Sequence, residues 1–487
     1  MTRIATAALM MLALTGAATA QSVETKQYDD GGVYEGAFLD GKQHGQGTYR
    51  LPNGYEYSGE WVQGEIAGTG RAVFPNGAVY EGTFAAGKPD GTGKIAFADG
   101  GTYEGDWQDG NITGRGIATY ANGVVYEGEF RNAMHHGTGK MQSPEGYEYS
   151  GEWINGVKEG TGQITYADGA TYQGELTAGE RHGTGTLTIP EGLTYSGTWV
   201  DGQIEGQGKL VQANGDIYEG DLIGGKREGQ GTVTYANGDT YQGGFVDDKR
   251  HGTGTFVGTD GYQYSGDWVA GQIDGNGEVV YPDGAVYVGS FSADLADGAG
   301  RITYADGSSY EGEWTNGVID GSGTATYANG MVYEGEFKDA KNHGQGTMTY
   351  PDGYTYSGGW TDGQRDGTGT ATYADGTVYE GEFKAGQRHG TGTITLPDGF
   401  IYAGEWVDGE MSGTGIATYA NGDVYEGSFV RGRRQGPGTM RYATGQESAG
   451  EWADGAILVP ADDDDASTAG TASDESVAPE TPDAPAD

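Results

Sequence analysis

Polar and apolar residues alternate along short stretches of this chain, which is the period-two pattern of a β-strand with one buried face. In residues 125–130 (VYEGEF), the tyrosine, the glycine and the phenylalanine share one face, while the valine and both glutamates share the other. Residues 162–166 (GQITY) alternate in the same way. Because no helical period of useful length interrupts these stretches, the pattern predicts an all-β protein.

The same stretch returns every 23 residues. A tyrosine, which we call the anchor, recurs at that interval eighteen times from Tyr34 to Tyr425 without insertion or deletion. Glycine stands two, eleven, thirteen and twenty residues after every anchor, and a nineteenth, incomplete unit begins at Ser448. A fixed short period indicates stacked repeats that contact only their neighbours, so length adds units and not domains. We expect each anchor ring to lie over a glycine of the next strand.

The junctions between units carry a turn signal. Fifteen of the eighteen have Asn-Gly or Asp-Gly, as at residues 122–123, which predicts a two-residue hairpin turn with positive φ at both positions. Within a unit we expect a longer loop, for example residues 177–183. The predicted fold is an elongated, single-layer, twisted antiparallel sheet, a solenoid-like ribbon of about 18 tandem 23-residue β-hairpin repeats.

The repeats are not identical. All nine tryptophans lie four residues after an anchor position, where they alternate with phenylalanine or leucine. The alternation slips where Leu222 and Phe245 follow one another, which predicts 46-residue working pairs and a joint near residues 222–245.

Composition divides the chain into three parts. Residues 1–20 combine Arg3, an apolar run and small residues ending at Ala20, which predicts a cleaved signal peptide. The mature protein is then expected to be exported and soluble, in the bacterial periplasm or outside the cell. Residues 21–455 form the repeat array, and residues 456–487 form an acidic tail that we expect to be disordered.

The net charge of the chain disfavours some classes of binding partner. The chain carries a formal charge of −44, of which −36 falls on residues 21–455. Such an array repels nucleic acid and disfavours anionic membrane lipid. The chain has no cysteine, so a disulfide framework is excluded.

Every candidate catalytic group recurs in several repeats. Six histidines share one position of the repeat, and residues at least 46 apart are too distant to share a metal, so we expect a structural hydrogen-bonding role. Glutamates two apart, such as Glu127 and Glu129, predict a solvated strand face. The sequence therefore predicts no enzyme, no cofactor and no metal. The histidines are His44, His136, His182, His251, His343 and His389, with His135 beside His136.

The motif YEGEF at residues 379–383, followed by HGTG at residues 389–392, resembles the MORN (membrane occupation and recognition nexus) repeat. The resemblance covers about residues 28–455. It implies a ribbon of β-hairpins used for scaffolding, dimerisation and sometimes lipid contact. Relatives often join these repeats to a kinase or methyltransferase domain, and we expect none in this chain.

The aromatic face is the predicted functional surface, because a single-layer sheet leaves part of that face uncovered. The leading hypothesis is a non-enzymatic exported scaffold that binds a protein partner or a second copy of itself there. The alternative is a binding surface for an extended lipid or glycan in the cell envelope. The candidate residues are Trp61, Trp107, Trp153, Trp199, Trp268, Trp314, Trp360, Trp406, Tyr57, Tyr103, Tyr149, Tyr195, Tyr264, Tyr310 and Tyr356.

Overall fold

The computed structural model describes residues 22–458, in which all regular structure is β-strand. The predicted signal peptide and the tail from Val459 lie outside the described residues. The described part of the chain holds no helix with the length and apolarity that a membrane crossing requires. Contacts divide the chain into a first unit ending at Lys226 and a second unit beginning at Arg227, and each is described by itself. The joint near residues 222–245 stays a prediction.

The first unit contains eighteen complete strands. They are β1 (Glu24–Gln27), β2 (Val33–Leu39), β3 (Lys42–Arg50), β4 (Glu56–Val62), β5 (Glu65–Val73), β6 (Val79–Ala85), β7 (Lys88–Ala96), β8 (Thr102–Gln108), β9 (Asn111–Thr119), β10 (Val125–Arg131), β11 (Met134–Gln142), β12 (Glu148–Ile154), β13 (Val157–Thr165), β14 (Thr171–Thr177), β15 (Glu180–Thr188), β16 (Thr194–Val200), β17 (Gln203–Val211) and β18 (Ile217–Ile223).

The second unit begins one residue inside β19. Its strands are β19 (Lys226–Thr234), β20 (Thr240–Val246), β21 (Lys249–Val257), β22 (Gln263–Val269), β23 (Gln272–Val280), β24 (Val286–Ser292), β25 (Leu295–Thr303), β26 (Ser309–Thr315), β27 (Val318–Thr326), β28 (Val332–Lys338), β29 (Lys341–Thr349), β30 (Thr355–Thr361), β31 (Gln364–Thr372), β32 (Val378–Lys384), β33 (Gln387–Thr395), β34 (Ile401–Val407), β35 (Glu410–Thr418), β36 (Val424–Val430), β37 (Arg433–Arg441), β38 (Glu447–Ala453) and β39 (Ala456–Ile457).

Within each unit, every strand pairs antiparallel with its neighbours in sequence, and the sheet stays open. The predicted all-β fold of tandem hairpins is confirmed. The tail was predicted to begin at residue 456, but Ala456 and Ile457 continue the sheet as its last strand and pair with Ala453 and Trp452.

The two kinds of connection are the reverse of the prediction. Residues 177–183 do not form a loop, because β14 and β15 are joined by Ala178 and Gly179 alone, with φ of 54° and 86°. Both residues have the positive φ of a tight hairpin turn. The polar, glycine-containing composition of the following residues concealed the strand.

The Asn-Gly junctions form a wider turn than predicted. Gly123 has φ 82°, whereas Asn122 does not have positive φ. The Gly123 N–H donates to the Tyr120 carbonyl and the Tyr120 N–H donates to the Val124 carbonyl, both at 2.8 Å. This is a type I turn closed by a glycine in the left-handed region. The Asn122 carboxamide oxygen accepts the Val124 N–H at 3.1 Å, which explains why asparagine or aspartate recurs here.

A β-bulge lies at the end of the segment for which a loop was predicted. Gly174 pairs with Gly185, but the next residue, Glu175, pairs with His182. Two residues of β15 therefore project out of register, and Gly183 takes φ 60°. The same shift occurs in the other complete hairpins for which register is defined, so the bulge is part of the repeat.

Candidate functional site

The anchor tyrosines form a continuous column of rings along one side of the sheet in each unit, which we call the aromatic face. Tyr126 contacts Phe130 of its own repeat at 5.0 Å between ring centroids and Trp153 of the next repeat at 5.4 Å. Both contacts are edge-to-face, the geometry that aromatic pairs prefer. Each anchor thus joins two repeats.

The glycines near the anchor leave room for its ring. A Cβ atom at Gly128 or Gly139 would overlap the ring of Tyr126, which lies across both strands. The Tyr126 hydroxyl donates to the Glu129 carbonyl at 2.9 Å, which fixes the ring in that position. The predicted stacking of tyrosine over glycine is confirmed.

The tryptophans add a hydrogen bond that phenylalanine cannot make. The Trp153 Nε1–H donates to the Gly139 carbonyl of the preceding repeat at 3.3 Å. All nine tryptophans make the equivalent bond, at 3.1 to 3.3 Å. Each repeat that carries a tryptophan is therefore tied to the one before it by an additional bond.

Sequence reasoning missed the residues that cover the rings. The ninth residue after each anchor, which we call the cover position, lies on the second strand and packs on the ring column. Arg181 lies 4.1 Å from the Trp199 ring, and Arg250 lies at the same distance from Trp268. These are cation–π contacts. Isoleucine at residues 66, 112, 204, 273 and 319 instead precedes a repeat with phenylalanine or leucine. The restriction of these five isoleucines to one phase of the tryptophan pattern is the signal that could have located the cover position.

The fifteen rings predicted as a partner or ligand face are all buried. Trp107 and Trp314 are the most exposed of them, at 8%. These fifteen rings are therefore not the uncovered part of the face, because neighbouring rings and cover residues close over them. Burial raises the pKa of Tyr126 to about 12, in keeping with a packed ring. A binding role for these residues stays a prediction.

The predicted hydrogen-bonding role is shown for three of the six histidines at the shared position. The Asn155 N–H donates to Nδ1 of His136 at 3.4 Å, and the Ala178 N–H donates to the Glu159 carboxylate at 3.0 Å. A histidine or a carboxylate thus stabilises the tight turn of the next repeat. Among residues 22–458, no three potential ligands lie close enough to hold a metal ion.

His135 differs from the other histidines because it occupies a cover position. Its ring stacks on Tyr126 with 3.7 Å between centroids and 18° between planes, and it lies 4.8 Å from Trp153. Nε2 is 2.6 Å from the Tyr120 hydroxyl. Burial lowers the pKa of His135 from 6.5 to about 4, so the ring is neutral near pH 7.

The glutamates were predicted to be solvated. The one three residues after an anchor also makes hydrogen bonds within the sheet. The Glu152 carboxylate accepts the Thr161 N–H at 3.2 Å and its hydroxyl at 2.7 Å, which stabilises the bulge. These bonds hold the pKa of Glu152 below its usual value. Glu175, Glu382 and Glu405 act alike.

The opposite side of the sheet, which we call the polar face, carries a groove in the first unit. It has a volume of about 1040 Å³ and runs across β6 to β12. Its floor is the backbone of glycines that pair in succession across the strands: Gly82, Gly93, Gly105, Gly116, Gly128, Gly139 and Gly151.

Acidic and basic side chains alternate along this groove. Lys94 bridges to Glu104 at 3.3 Å, and Lys140 and Glu127 continue the wall. The pairs are exposed, so their net contribution to stability is small and their charges are accessible to a ligand. The groove thus combines open backbone with both signs of charge.

Comparison with known proteins identifies the repeats. The family model described as MORN repeat matches eighteen segments: residues 34–54, 57–79, 80–102, 103–125, 126–146, 149–171, 172–194, 195–217, 218–240, 241–261, 264–286, 287–309, 310–332, 333–353, 356–378, 379–400, 402–424 and 425–447. The curated proteins compared with this chain include no match.

Two solved structures are similar to part of this chain. The TCP domain of Drosophila melanogaster SAS-4, solved with a proline-rich motif of Ana2, is 16% identical and covers 41% of this chain and 90% of its own, with a TM-score of 0.20. The TCP10 domain of Danio rerio CPAP is 18% identical and covers 45% and 93%, with a TM-score of 0.20. Because these scores are low, neither structure supports an inference about what this chain binds.

Proposed function

This chain belongs to the MORN repeat family, and from that premise we propose that it is a non-enzymatic, exported repeat scaffold that binds protein through the polar face of its first unit. The groove across β6 to β12 carries the proposal. It is the part of the first unit where exposed backbone, both charge signs and a volume of about 1040 Å³ coincide.

The groove suits an extended polypeptide. Its volume is at the upper end of small-molecule pockets, but it is an open channel along a row of glycines and not an enclosed cavity. Alternating charges such as Glu81, Lys94 and Glu104 complement a segment that itself carries both signs. Such complementarity increases the specificity of binding and the rate of association.

The non-enzymatic part of the proposal rests on repetition. Acid–base catalysis by a pair of titratable groups needs surroundings that separate their pKa values. Glu152 makes the same contacts as its counterparts in other repeats, and His136 shares its role with carboxylates. Groups that recur in this way hold the repeat together.

Protein binding at the polar face is favoured over the binding of a lipid or glycan at the aromatic face. Stacking of a sugar or lipid on tryptophan requires exposed rings, whereas Trp153 and Trp199 are buried by their own chain. The charge of −36 on residues 21–455 also opposes anionic head groups.

Cross-linking in the native cell, followed by identification of captured proteins, tests the proposal. The variant carries Lys94→Glu and Lys140→Glu. The control is Lys209→Glu, which has the same position in its repeat, pairs with Glu219 at 2.8 Å and lies outside the groove. The groove variant should lose the partner that the wild type and the control retain.

Capture of a second copy by the wild type, with a matching dimer in sedimentation, would identify the partner as self. Capture of no protein, or equal capture by both variants, would overturn the proposal. Export is tested separately by N-terminal sequencing of the protein from the cell envelope or medium, where the expected first residue is Gln21.

A further inference from the structure

The groove of the first unit has one aliphatic side chain in a wall that is otherwise polar. This wall is the row of residues one and fourteen after an anchor, which pair in succession across the strands. β9, the middle strand of the groove, contributes Ile117 to the row, and this side chain is 46% exposed. Every other residue of the row in the first unit is polar or charged. The wall therefore offers an aliphatic surface at its centre only.

The charged residues around Ile117 are arranged symmetrically. Ile117 pairs across the strands with Glu104 of β8 and with Glu127 of β10. The next residues outward are Lys94 and Lys140. Because neighbouring strands lie about 4.8 Å apart, an acidic residue flanks the isoleucine on each side at about that distance, and a basic residue lies beyond each.

The two flanking carboxylates differ in their partners. Glu104 forms an ion pair with Lys94 at 3.3 Å. Lys140 lies opposite Glu127 but bridges to Glu148 at 2.8 Å instead. Within residues 22–458, the Glu127 carboxylate has neither an ion pair nor a hydrogen-bond partner. A carboxylate without a counter-charge therefore lies directly beside an exposed aliphatic side chain.

These two features define the chemistry of an occupant. A single exposed aliphatic residue on a protein surface is ordinary, so it is the place of Ile117 at the middle of the groove that matters. An apolar side chain that packs on Ile117 removes apolar surface from water, and a cation beside Glu127 supplies the missing counter-charge. The net charge of −36 on residues 21–455 also attracts a basic segment from a distance.

The dimensions of the groove suit a short extended segment. Seven strands, β6 to β12, span about 29 Å, which about nine residues cover at about 3.3 Å each. Residues two apart lie on the same side of such a segment, about 6.6 Å from each other. A basic residue two positions from the apolar one therefore comes within about 2 Å of Glu127 along the groove, a difference that the flexible stem of a lysine spans.

We propose that the occupant of the groove is an extended segment of another protein, in which an apolar residue packs on Ile117 and a lysine or arginine two positions away binds Glu127. This inference rests on the proposed function and adds to it the residues that select the partner. Ile117 selects for an apolar side chain, and Glu127 selects for a basic neighbour over an acidic one.

Photo-cross-linking in the native cell locates the segment. A benzophenone side chain in place of Ser150, which is exposed at one end of the groove, reacts with the occupant. Ser150 is three strands from Ile117, or about 14 Å, which corresponds to about four residues of an extended segment. Mass spectrometry of the cross-linked peptide should therefore place the apolar residue about four positions from the modified one, with a lysine or arginine two positions from it.

The affinity of the mapped segment, as a synthetic peptide, for variants of the purified protein tests the two contacts. Ile117→Thr should weaken binding about tenfold, because the aliphatic contact is lost. Threonine stands at this position in nine of the eighteen repeats, so the variant should keep the strand. Glu127→Gln should weaken binding about three- to fivefold at low salt and have little effect at high salt.

The matched control is Ile416→Thr. Ile416 has the same position in its own repeat and is 44% exposed. It lies between Ala403 and Glu426, however, and the Glu426 carboxylate is paired with Arg441 at 3.1 Å. Its replacement should leave the affinity unchanged.

The possible outcomes separate this inference from the proposed function. An affinity that Ile117→Thr leaves unchanged, or that Ile416→Thr lowers equally, would overturn the inference and leave the protein-binding scaffold in place. A mapped segment that lacks the apolar and basic pair, or that comes from a second copy of this chain, would overturn it as well. If no protein is cross-linked, the proposed function fails and this inference fails with it.

Discussion

Acid should destabilise the β10–β11 hairpin through His135. Its pKa is lowered from 6.5 to about 4 because the charged ring would have to remain packed between Tyr126 and Trp153. A difference of about 2.5 pH units at about 1.4 kcal/mol each, reduced for the part-buried state of the ring, corresponds to about 2 to 3 kcal/mol.

The direction follows from proton uptake. The unfolded chain binds the proton near pH 6.5 and the folded chain only near pH 4, so the unfolded state holds more protons between these values. The stability due to neutral His135 is fully present above about pH 6.5 and is lost as the pH falls towards 4. Because each repeat contacts only its neighbours, the loss should be local to β10, β11 and β12.

NMR titration of the ring protons gives the pKa of His135 directly. Amide hydrogen exchange at pH 7 and pH 5, corrected for intrinsic rates, gives the local stability of β10–β12. His135→Gln is the control, since glutamine occupies the equivalent cover position at Gln43 and does not titrate. A pKa at or above 6.5, or the same acid sensitivity in His135→Gln, would refute the reasoning.

Three further outcomes are expected. Trp153→Phe should cost about 1 kcal/mol or more in denaturant unfolding, because the Gly139 carbonyl loses its donor, and equal stability would contradict the role of that bond. Gly139→Ala should destabilise the array by displacing the Tyr126 ring, and in a Tyr126→Leu background the same change should cost less; additive costs would show that ring and glycine are not coupled. Thr161→Val should raise the pKa of Glu152 towards its ordinary value in a carboxyl NMR titration, and an unchanged pKa would exclude the bulge contact as its cause.

The cover position gives the 46-residue pair a physical basis. A tryptophan needs an acceptor for its Nε1–H and a neighbour that covers its large ring face. The repeat before it supplies both. A cation such as Arg181 suits that ring face, whereas Ile112 suits the smaller ring of Phe130. Residues at these two positions, 18 apart in sequence, thus come into contact across the repeat boundary.

The sequence alone determined the period, the strand pattern and the contact of each anchor with its glycines. These features are local: alternation of apolar residues defines the face of a strand, and the spacing between Tyr126 and Gly128 places both on that face. The structural hydrogen-bonding role of the shared histidine position was predictable for the same reason, since carboxylates replace histidine there.

Only the tertiary structure decided which connection is tight, where the bulge lies and how far the aromatic face is buried. The turn at residues 178–179 and the bulge at residues 183–184 depend on cross-strand register, which composition does not specify. Burial of the rings depends on a cover residue such as Arg181, which becomes a neighbour of Trp199 only when the strands pair. The fifteen rings that the sequence suggested as a binding surface are therefore covered by their own chain.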